Sequence, residues 1–363
     1  PLAVFGSGST SLMFRCLCLD SSRTGGSAPS RTIGHRQLEV SMTQASESVE
    51  PWAASNIVIV RDLQAAEKNF GRVQLARDDR RFLAVKRMPT SWLCSGPRVF
   101  ERRHAGAKER PWVDVGLVRL LATLDYPYAC RMHGIFHCGD ETLVATSYCD
   151  GGDLFEWCVH KSTPPPGRRR EARMRPIVAQ ALDAVRWLHD LDVAHRDLSV
   201  ENILLVKSGE LMELKLIDFG MSTLGRMTRS DVRGKLSYQA PEFYTSIHVD
   251  TFSADTFALG VVLFAMAVGV YPWTCTQPGR CPAFQLVLAN GLRHLLRKRC
   301  LRHCSGQTLA ELMSPSFVDV VDAMLQPTPK KRACLGEVCF QPDLQRRRRL
   351  SVWDLPYLEG ARA

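Results

Sequence analysis

Three polar residues in the middle of this chain have the types and spacing that proton transfer beside a bound cation needs. Asp197 stands five residues before Asn202, and an Asp-Phe-Gly tripeptide begins sixteen residues later at Asp218, after a short apolar run. A carboxylate such as Asp197 can accept a proton from an incoming hydroxyl group. Amide and carboxylate oxygens are ligands that Mg²⁺ accepts in proteins. We therefore expect Asn202 and Asp218 to face each other and to form a magnesium site.

A lysine and a further motif complete this pattern. Lys86 ends the tripeptide Ala-Val-Lys in an apolar strand-like run, and an Ala-Pro-Glu tripeptide begins at Ala240, 22 residues past Asp218. A lysine with an apolar stem can reach a phosphate group from the floor of a sheet. Short tripeptides recur by chance, but four such features in this order form a specific constellation.

The elements that must position these residues change in character near residue 150. Before it, runs with strand character and one amphipathic stretch over residues 113–124 predict a small antiparallel sheet with one long helix. The strand candidates lie at residues 56–60, 72–76, 82–87, 134–138 and 142–146. After it, apolar residues at helical spacing dominate. The sequence therefore predicts an α+β chain with a small β-rich lobe, a larger helical lobe, and a ligand cleft between them.

In this order and setting, the four features resemble those of the eukaryotic protein kinase family, Ser/Thr type, and identify a divergent member. The resemblance covers residues 53–350 and implies the bilobal kinase-like fold, with an N-lobe over about 53–147 and a C-lobe over about 150–350. It also implies transfer of the ATP γ-phosphate to Ser or Thr hydroxyls of protein substrates, with ATP and Mg²⁺ as cofactors. Residues 1–52 are expected to be a disordered Ser/Gly/Thr-rich tail, and 351–363 a second tail.

The resemblance assigns roles to individual residues. Asp197 would be the catalytic base, Lys86 would pair with the ATP α- and β-phosphates, and Asn202 and Asp218 would hold the metal. Thr146 would gate the back pocket, ahead of a hinge. The nucleotide-binding residues would be Lys86, Gly71, Val73, Ala84, Thr146, Tyr148, Cys149 and Leu204.

Other matched positions concern the scaffold of the site. Asp255 would anchor the backbone of the catalytic loop, and Arg332 would pair with Glu242 of the Ala-Pro-Glu motif. An apolar spine through both lobes would contain Leu121, Met132, His195 and Phe219.

The glycine-rich loop departs from the family pattern. Where the family has three glycines, this chain has Ala66, Lys68 and Gly71. Glycines there let backbone N–H groups approach the phosphates closely. The loss of two of the three glycines predicts weaker or altered nucleotide binding, although Lys68 could supply a compensating charge.

The helix that normally offers a glutamate to the strand lysine is a second departure. The alignment places Leu117 at the glutamate position, with Asp114 one turn earlier. Glu101 or Glu109 would require a shifted helix. We expect Asp114 to be the substitute partner of Lys86.

A third departure lies beside the base. Ser199 stands two residues after Asp197, where Ser/Thr kinases usually have a lysine that steadies the γ-phosphate. Lys235 stands where those kinases usually have a threonine that contacts the catalytic aspartate. The sequence leaves open whether Lys235 replaces the missing charge.

The segment from Asp218 to Ala240 contains the candidate regulatory position. Arg196 marks the subgroup in which a phosphate on this segment pairs with that arginine. The aligned position, thirteen residues after Asp218 and nine before Ala240, is Asp231. We expect the Asp231 carboxylate to pair with Arg196 and partly order the segment. Ser230 or Thr228 is the alternative switch.

The departures leave a second function open, a pseudokinase that acts as a nucleotide-binding or scaffolding protein. The retained Lys86, Asp197, Asn202 and Asp218 favour an active kinase. The residues after Asp197 differ from the Ala-Ala-Arg-type signature of tyrosine kinases, which predicts Ser/Thr specificity. Asp153 and Glu201 fall where basophilic kinases bind substrate arginine, but the third such position is Ala265, so a basic substrate context has partial support.

Composition narrows the class of protein and its location. The 363 residues carry 47 basic and 37 acidic side chains, a net charge of +10, but no nucleic-acid-binding motif, so no specific nucleic acid partner is expected. The longest apolar stretch, residues 257–270, is shorter than a membrane-spanning helix and predicts a buried core helix. The chain begins at Pro1 without a secretory signal and is interpreted as a fragment.

The cysteines indicate a reducing compartment. There are thirteen, scattered and without a C-x-x-C motif, so we expect reduced thiols and a cytoplasmic location, with the nucleus as the alternative. One loose cluster contains conceivable zinc ligands, but its spacings match no standard finger and free thiols are favoured. Its members are Cys275, Cys281, Cys300, His303 and Cys304.

Overall fold

The computed structural model describes residues 32–65, 72–89, 96–209, 211–301 and 306–359, which form a small β-rich lobe and a larger helical lobe. The α+β bilobal prediction is confirmed. The N-lobe elements, in chain order, are α1 (His35–Glu47), β1 (Val49–Pro51), β2 (Val58–Ala65), β3 (Arg72–Arg77), β4 (Phe82–Pro89), α2 (Pro97–Arg103), α3 (Pro111–Thr123), β5 (Met132–Cys138) and β6 (Glu141–Ser147).

The N-lobe strands form one sheet in the order β1-β5-β6-β4-β3-β2. Neighbouring strands are antiparallel except for β1, which adds to the edge in parallel with β5. Side chains alternate across the sheet, so the sequence of β4 decides what each face carries. Leu83 and Val85 are buried in an apolar cluster with Phe136 on the outer face. Ala84 and Lys86 therefore point to the other face, toward the cleft.

The C-lobe is mostly helical. Its elements are α4 (Leu154–Val159), α5 (Arg168–Asp190), β7 (Val193–Ala194), β8 (Ile203–Ser208), β9 (Leu211–Leu216), β10 (Thr223–Leu224), β11 (Met227–Arg229), β12 (His248–Asp250), α6 (Thr251–Val268), α7 (Pro282–Asn290), α8 (Leu292–Lys298), α9 (Leu309–Leu312), α10 (Pro315–Met324) and α11 (Gln341–Gln345). Short 3₁₀ turns join several of them.

Helix α6 forms the centre of the C-lobe. Every one of its residues is buried, as the prediction of a core helix over residues 257–270 required, although α6 begins six residues earlier. Among the described residues it is the one helix whose length and apolar composition would also suit a membrane span. Its complete burial among the other helices explains the same composition as that of a core helix.

The prediction of a disordered tail over residues 1–52 is corrected for residues 32–52, which are ordered, whereas residues 1–31 lie outside the described residues. Helix α1 packs on α3, where the Ser41 hydroxyl donates a hydrogen bond to the Gly116 carbonyl at 2.9 Å. The Ile33 N–H donates to the Leu191 carbonyl in the C-lobe at 2.8 Å. This segment therefore contacts both lobes.

The reason α1 escapes a sequence reading is its narrow apolar face. Leu38, Met42 and Ala45 are buried at helical spacing, but apart from the exposed Val40 the rest of the helix is Ser, Thr, Gln, His and charged residues. Three apolar positions in a polar background resemble a solvated segment, and only packing against α3 makes them a core face.

The predicted C-terminal tail over residues 351–363 is corrected up to residue 359, and residues 360–363 lie outside the described residues. Val352, Tyr357 and Leu358 are buried. The Tyr357 ring packs edge-on against Phe317 of α10 at 5.0 Å between centroids. Burial of these apolar side chains fixes the segment up to residue 359 on the C-lobe.

Candidate active site

Side chains from both lobes line a cavity of about 640 Å³ between the sheet and the C-lobe. The cleft expected from the sequence is therefore present. The predicted site residues that line it are Val73, Ala84, Lys86, Thr146, Asp197, Asn202, Leu204 and Asp218. Apolar walls on one side and carboxylates on the other suit a ligand with a flat apolar part and a charged part.

Three other predicted nucleotide-binding residues, Gly71, Tyr148 and Cys149, are not among the described residues that line the cavity. Tyr148 and Cys149 directly follow β6, but the cavity lining from this stretch is Thr146 and Ser147. Cys149 is buried, with its Sγ 3.5 Å from the Sγ of Cys130. Gly71, together with Ala66 and Lys68 of the eroded loop, lies outside the described residues.

Lys86 lies among three carboxylates. Its Nζ is 3.5 Å from Asp218 Oδ1, 3.7 Å from Glu109 Oε1 and 3.8 Å from Asp114 Oδ2. Burial alone would lower the pKa of Lys86, but these carboxylates raise it well above its ordinary value. In return, although burial opposes it, Lys86 lowers the pKa of Asp218. Both groups are therefore charged at neutral pH.

The structure brings the expected substitute, Asp114, to Lys86. Leu117, the residue aligned with the family glutamate, is fully buried instead. Asp114 has a second contact, because its Oδ1 accepts a hydrogen bond from the Phe219 N–H at 2.9 Å. Asp114 thus ties the lysine and the Asp-Phe-Gly backbone to the same helix.

Glu109 is a site residue that the sequence reading placed only as an alternative. Helix α3 begins at Pro111, so Glu109 lies in the segment before it. There the Arg110 N–H donates to the Gly220 carbonyl at 2.9 Å, which brings Glu109 beside Lys86. Proline favours the first helical position, so Pro111 was the signal that would have located the helix start.

The loop that carries Asp197 is held from below, as predicted, by Asp255. The two oxygens of this buried carboxylate accept the backbone N–H groups of His195 at 2.6 Å and Arg196 at 2.9 Å. Arg196 has a φ of 67°, a left-handed conformation uncommon for a residue other than glycine. The anchored N–H groups explain how the loop keeps that conformation.

The amide of Asn202 orients the base. Its Nδ2 donates to the Asp197 carbonyl at 2.8 Å and to Asp197 Oδ2 at 2.9 Å. Burial raises the pKa of Asp197, while His195, Lys235 and the Asn202 hydrogen bond act in the opposite direction. A carboxylate with a raised pKa is a stronger proton acceptor.

The donor set fits a magnesium ion. Because the Asn202 nitrogen is used for Asp197, the Asn202 oxygen is the atom that remains for a cation, and the Asp218 carboxylate is ionised. Both residues line the same cavity. Magnesium in phosphate sites is commonly held by one or two such oxygens together with the phosphates. Within the described residues no cluster of three or more His, Cys, Asp or Glu forms a separate metal cage.

The predicted zinc candidates are not gathered at one place among the residues that the structure describes. Cys275, Cys281 and Cys300 belong to no such cluster in the described part of the chain. His303 and Cys304 lie outside the described residues.

The predicted scaffold contacts are present. Arg332 forms a buried two-pronged ion pair with Glu242, with N–O distances of 2.7 and 3.0 Å. The rings of His195 and Phe219 are 5.1 Å apart between centroids. Leu121 is fully buried in the same apolar core, and Met132 packs against it.

The segment from 218 to 240, called the activation segment here, corrects the expectation for Asp231. Arg196 donates a hydrogen bond to the backbone carbonyl of Asp231, not to its carboxylate. The carboxylate instead accepts from Arg233 Nε at 2.6 Å. Arg233 in turn reaches the Met221 carbonyl at 3.2 Å. The Asp231 carboxylate therefore pairs with Arg233 and not with Arg196.

The alternative switch residues are both partly buried. The Ser230 hydroxyl donates to the Phe243 carbonyl at 2.8 Å, and Thr228 lies in β11, paired with β12. Ser230 N–H also donates to the Ile247 carbonyl. These contacts hold the activation segment on the C-lobe.

Lys235 lies at the end of the cavity that contains the base. Its Nζ donates to Ser199 Oγ at 2.8 Å and to Glu201 Oε2 at 2.9 Å. It lines the cavity together with Asp197. The cation of Lys235 therefore occupies the surroundings of Ser199, where the family's lysine is missing.

Comparison with known proteins places this geometry in a family. A family model described as Protein kinase domain matches residues 69–342, inside the predicted span of 53–350. CBL-interacting serine/threonine-protein kinase 26 of Arabidopsis thaliana is 28% identical over 220 residues, which is 59% of this chain and 44% of that protein.

Two further relatives carry similar names. Serine/threonine-protein kinase kin-29 of Caenorhabditis elegans is 30% identical over 158 residues, 43% of this chain and 18% of that protein. Serine/threonine-protein kinase cds1 of Schizosaccharomyces pombe is 26% identical over 233 residues, 62% of this chain and 46% of that protein. The chain spans less than half the length of these three relatives. Since the family model covers more than half of the chain, and its motifs converge on one cavity, the chain belongs to the protein kinase family.

Proposed function

We propose that the chain is an ATP-dependent protein kinase that transfers the γ-phosphate to Ser or Thr hydroxyls of protein substrates. One observation supports this most strongly: Lys86, Asp197, Asn202 and Asp218 line the same cavity, with Lys86 3.5 Å from Asp218. Phosphoryl transfer depends on positioning and charge neutralisation more than on covalent chemistry. These four groups supply a base, a cation and two metal ligands.

Asp197 would act on the acceptor hydroxyl. Its oxygen Oδ2 is oriented by Asn202, and burial raises its pKa toward that of a useful base. As the acceptor oxygen bonds to the γ-phosphorus, the bond to the bridging oxygen breaks and ADP leaves with the electron pair. The hydroxyl proton passes to the Asp197 carboxylate.

Lys86 would hold the nucleotide phosphates in line for this attack. The surrounding carboxylates keep its ammonium charged and fix its direction. Asn202 and Asp218 are the residues that would hold Mg²⁺, which neutralises phosphate charge when bound. On the apolar side, Val73, Ala84 and Leu204 would contact the adenine ring.

The acceptor class is supported by the residues after Asp197 and by the relatives' names, which specify serine/threonine kinases. A preference for basic substrates has weaker support. Asp153 Oδ1 caps α4 by accepting the Glu156 N–H at 2.7 Å, and Glu201 is paired with Lys235. Each of these two carboxylates therefore already has one partner within the protein.

A cytoplasmic or nuclear location is also proposed. Its support is that nine cysteines in the described residues, three of them exposed, are all free. Exposed free thiols are typical of a reducing compartment.

The test combines binding and transfer. Wild-type protein should gain thermal stability with ATP and Mg²⁺, and should transfer ³²P from γ-labelled ATP to a Ser/Thr peptide library, with label recovered as phosphoserine or phosphothreonine. Asp197→Asn is the blank for transfer. A shift without transfer would replace this proposal by a nucleotide-binding pseudokinase, and absence of both would leave a scaffold.

A further inference from the structure

A second cation reaches the base from the activation segment. Lys235 donates hydrogen bonds to Ser199 and Glu201, both in the loop that carries Asp197. Lys86, which lines the same cavity, lies among three carboxylates. Of these two lysines, Lys235 is the one that contacts the loop carrying the base.

The position of Lys235 is set by Gly234. This glycine has a φ of +75°, which side chains disfavour. A Cβ built on it would lie 2.9 Å from Asp197 Oδ1 and 3.1 Å from the Arg196 carbonyl. The activation segment thus contacts Asp197 through the backbone of Gly234, which has no side chain. The next residue, Lys235, therefore lies beside the base.

The charge of Lys235 is not needed for the stability of the fold. The Lys235 side chain is 45% exposed and its partner Glu201 34% exposed. Ion pairs of such exposure contribute little to folding stability. Its placement beside a base, in a cavity for a polyanion, suits charge stabilisation during transfer.

We propose that Lys235 is a catalytic residue whose ammonium contacts the transferred phosphoryl group at the acceptor end of the cavity. In the transfer step it donates hydrogen bonds to the phosphoryl oxygens and gives up no proton, while the acceptor proton goes to Asp197. Ser199 accepts a hydrogen bond from the ammonium and orients it. This role rests on the proposed kinase function and adds a residue to it.

The first experiment compares two lysine variants. Lys235→Met keeps the apolar stem and removes the charge, and should lower kcat by about 100-fold with a smaller change in the KM for ATP, as loss of one transition-state donor does. Lys207→Met is the control, since Lys207 is an exposed residue at the end of β8 outside the cavity. It should match wild type.

A rescue variant separates the charge from its attachment point. Ser199→Lys in the Lys235→Met background puts an ammonium back at the residue to which Lys235 now donates. It should recover at least about tenfold in kcat. Glu201→Gln breaks the ion pair without removing the cation, so it should cost less than Lys235→Met. Equal losses in those two variants would overturn the proposal and leave an ordinary ion pair.

A binding measurement tests the contact without turnover. Lys235 should favour ATP over ADP because only ATP carries the γ-phosphate. The Kd for ADP divided by the Kd for ATP should therefore be smaller in Lys235→Met than in wild type. An unchanged ratio, or kcat within about threefold of wild type, would show that Lys235 does not contact that group. If wild type transferred no phosphate, the proposed function would fail, while this ratio would still decide the contact.

Discussion

Lys86 has two carboxylate partners from the N-lobe where the family offers one glutamate. Glu109 and Asp114 stand at nearly equal distances from its ammonium, 3.7 and 3.8 Å. Burial raises the pKa of both carboxylates, while Lys86 opposes that rise. The lysine and the acids therefore stabilise each other's charged forms, and the loss of one acid leaves the other in place.

Two substitutions of Asp114 separate its two contacts. Asp114→Asn keeps an oxygen for the Phe219 N–H but removes the charge that faces Lys86. With Glu109 still present it should lower kcat by about tenfold, whereas Asp114→Ala, which loses both contacts, should lower it by about 100-fold. Glu109→Gln combined with Asp114→Asn should approach Lys86→Met.

Steady-state kinetics on one peptide would measure these losses. Equal losses for Asp114→Asn and Asp114→Ala would show that the Phe219 contact contributes nothing. Fully additive losses for Lys86→Met and Asp114→Asn would show that the two side chains do not act as a pair.

At the scale of elements, helix α1 fixes the position of α3. Gly116 lets the two helices approach closely, because a Cβ there would lie 2.6 Å from Met42 Cγ and 3.1 Å from Leu38 Cδ1. Asp114, two residues earlier, depends on the same helix for its place beside Lys86. The segment lies before residue 69, where the family match begins.

Gly116→Ala tests that packing by the sign of its effect. Alanine is the better helix former by about 1 kcal/mol, so in open space the substitution would stabilise the protein. Against Met42 it should destabilise by about 1–3 kcal/mol, as overpacking does. In a Met42→Ala background the closest contact is removed and the one with Leu38 Cδ1 at 3.1 Å remains, so Gly116→Ala should destabilise much less than in the wild type.

Unfolding in urea would give the four free energies of this cycle. The control is the Met42→Ala protein alone, which should lose about 2–5 kcal/mol through its cavity. Additive effects of the two substitutions would mean that α1 does not pack on α3 at this point.

Asp231 supplies a negative charge to three neighbouring arginines at the activation segment, Arg110, Arg196 and Arg233. Burial and the nearby charge of Arg233 together lower the pKa of Arg196 to about 10. The pKa of Arg110 is lowered for the same two reasons. Asp231 opposes both effects, because its negative charge favours the protonated arginines.

Asp231→Asn should therefore loosen the segment and lower kcat, by about three- to tenfold for a partly exposed pair. Phosphatase-treated wild type should keep its activity, because the carboxylate supplies the charge. Activity that disappears on phosphatase treatment, while Asp231→Asn equals untreated enzyme, would assign the switch to a phosphorylated residue such as Ser230.

The limits of the sequence reading follow from the kind of contact involved. Strands β3 and β4 and helix α3 were predictable because each carries a regular apolar period, and Asp197 and Asn202 because they share one short loop. Glu109 and Gly234 were not, since each acts through contact with a segment distant in sequence, Gly220 or Asp197. The prediction that the Asp231 carboxylate pairs with Arg196 was wrong because a competing arginine, Arg233, lies only two residues from Asp231.

At the scale of the whole molecule, a buried histidine links the C-terminal segment to the helical core. His189 Nδ1 is 2.8 Å from Glu337 Oε1, and its Nε2 is 3.3 Å from Asp255 Oδ2. Burial alone would lower the pKa of His189, but these two acids raise it to about 9. Because Asp255 also holds the catalytic loop, this link couples the stability of the C-lobe to the site.

Stability should therefore fall at alkaline pH. The folded pKa of His189 lies above the unfolded value of about 6.5, so its contribution is complete below that pH and is lost as pH rises through about 9. The free energy of unfolding in urea, measured from pH 6.5 to 9.5, should decrease over this window. His189→Gln should be less stable at pH 6.5 and show a flatter profile; an equal slope in the variant would assign the pH dependence to other groups.

The proposed phosphoryl transfer requires the base and the metal ligand that line the cavity between the lobes. The most direct measurement is kcat for ³²P transfer to one Ser/Thr peptide by wild type, Asp197→Asn and Asp218→Asn, each shown by its melting curve to be folded. Both variants should lose more than about 1,000-fold, because each removes a charge that the transition state requires. Turnover within about tenfold of wild type in either variant would show that the protein does not transfer phosphate through these two residues.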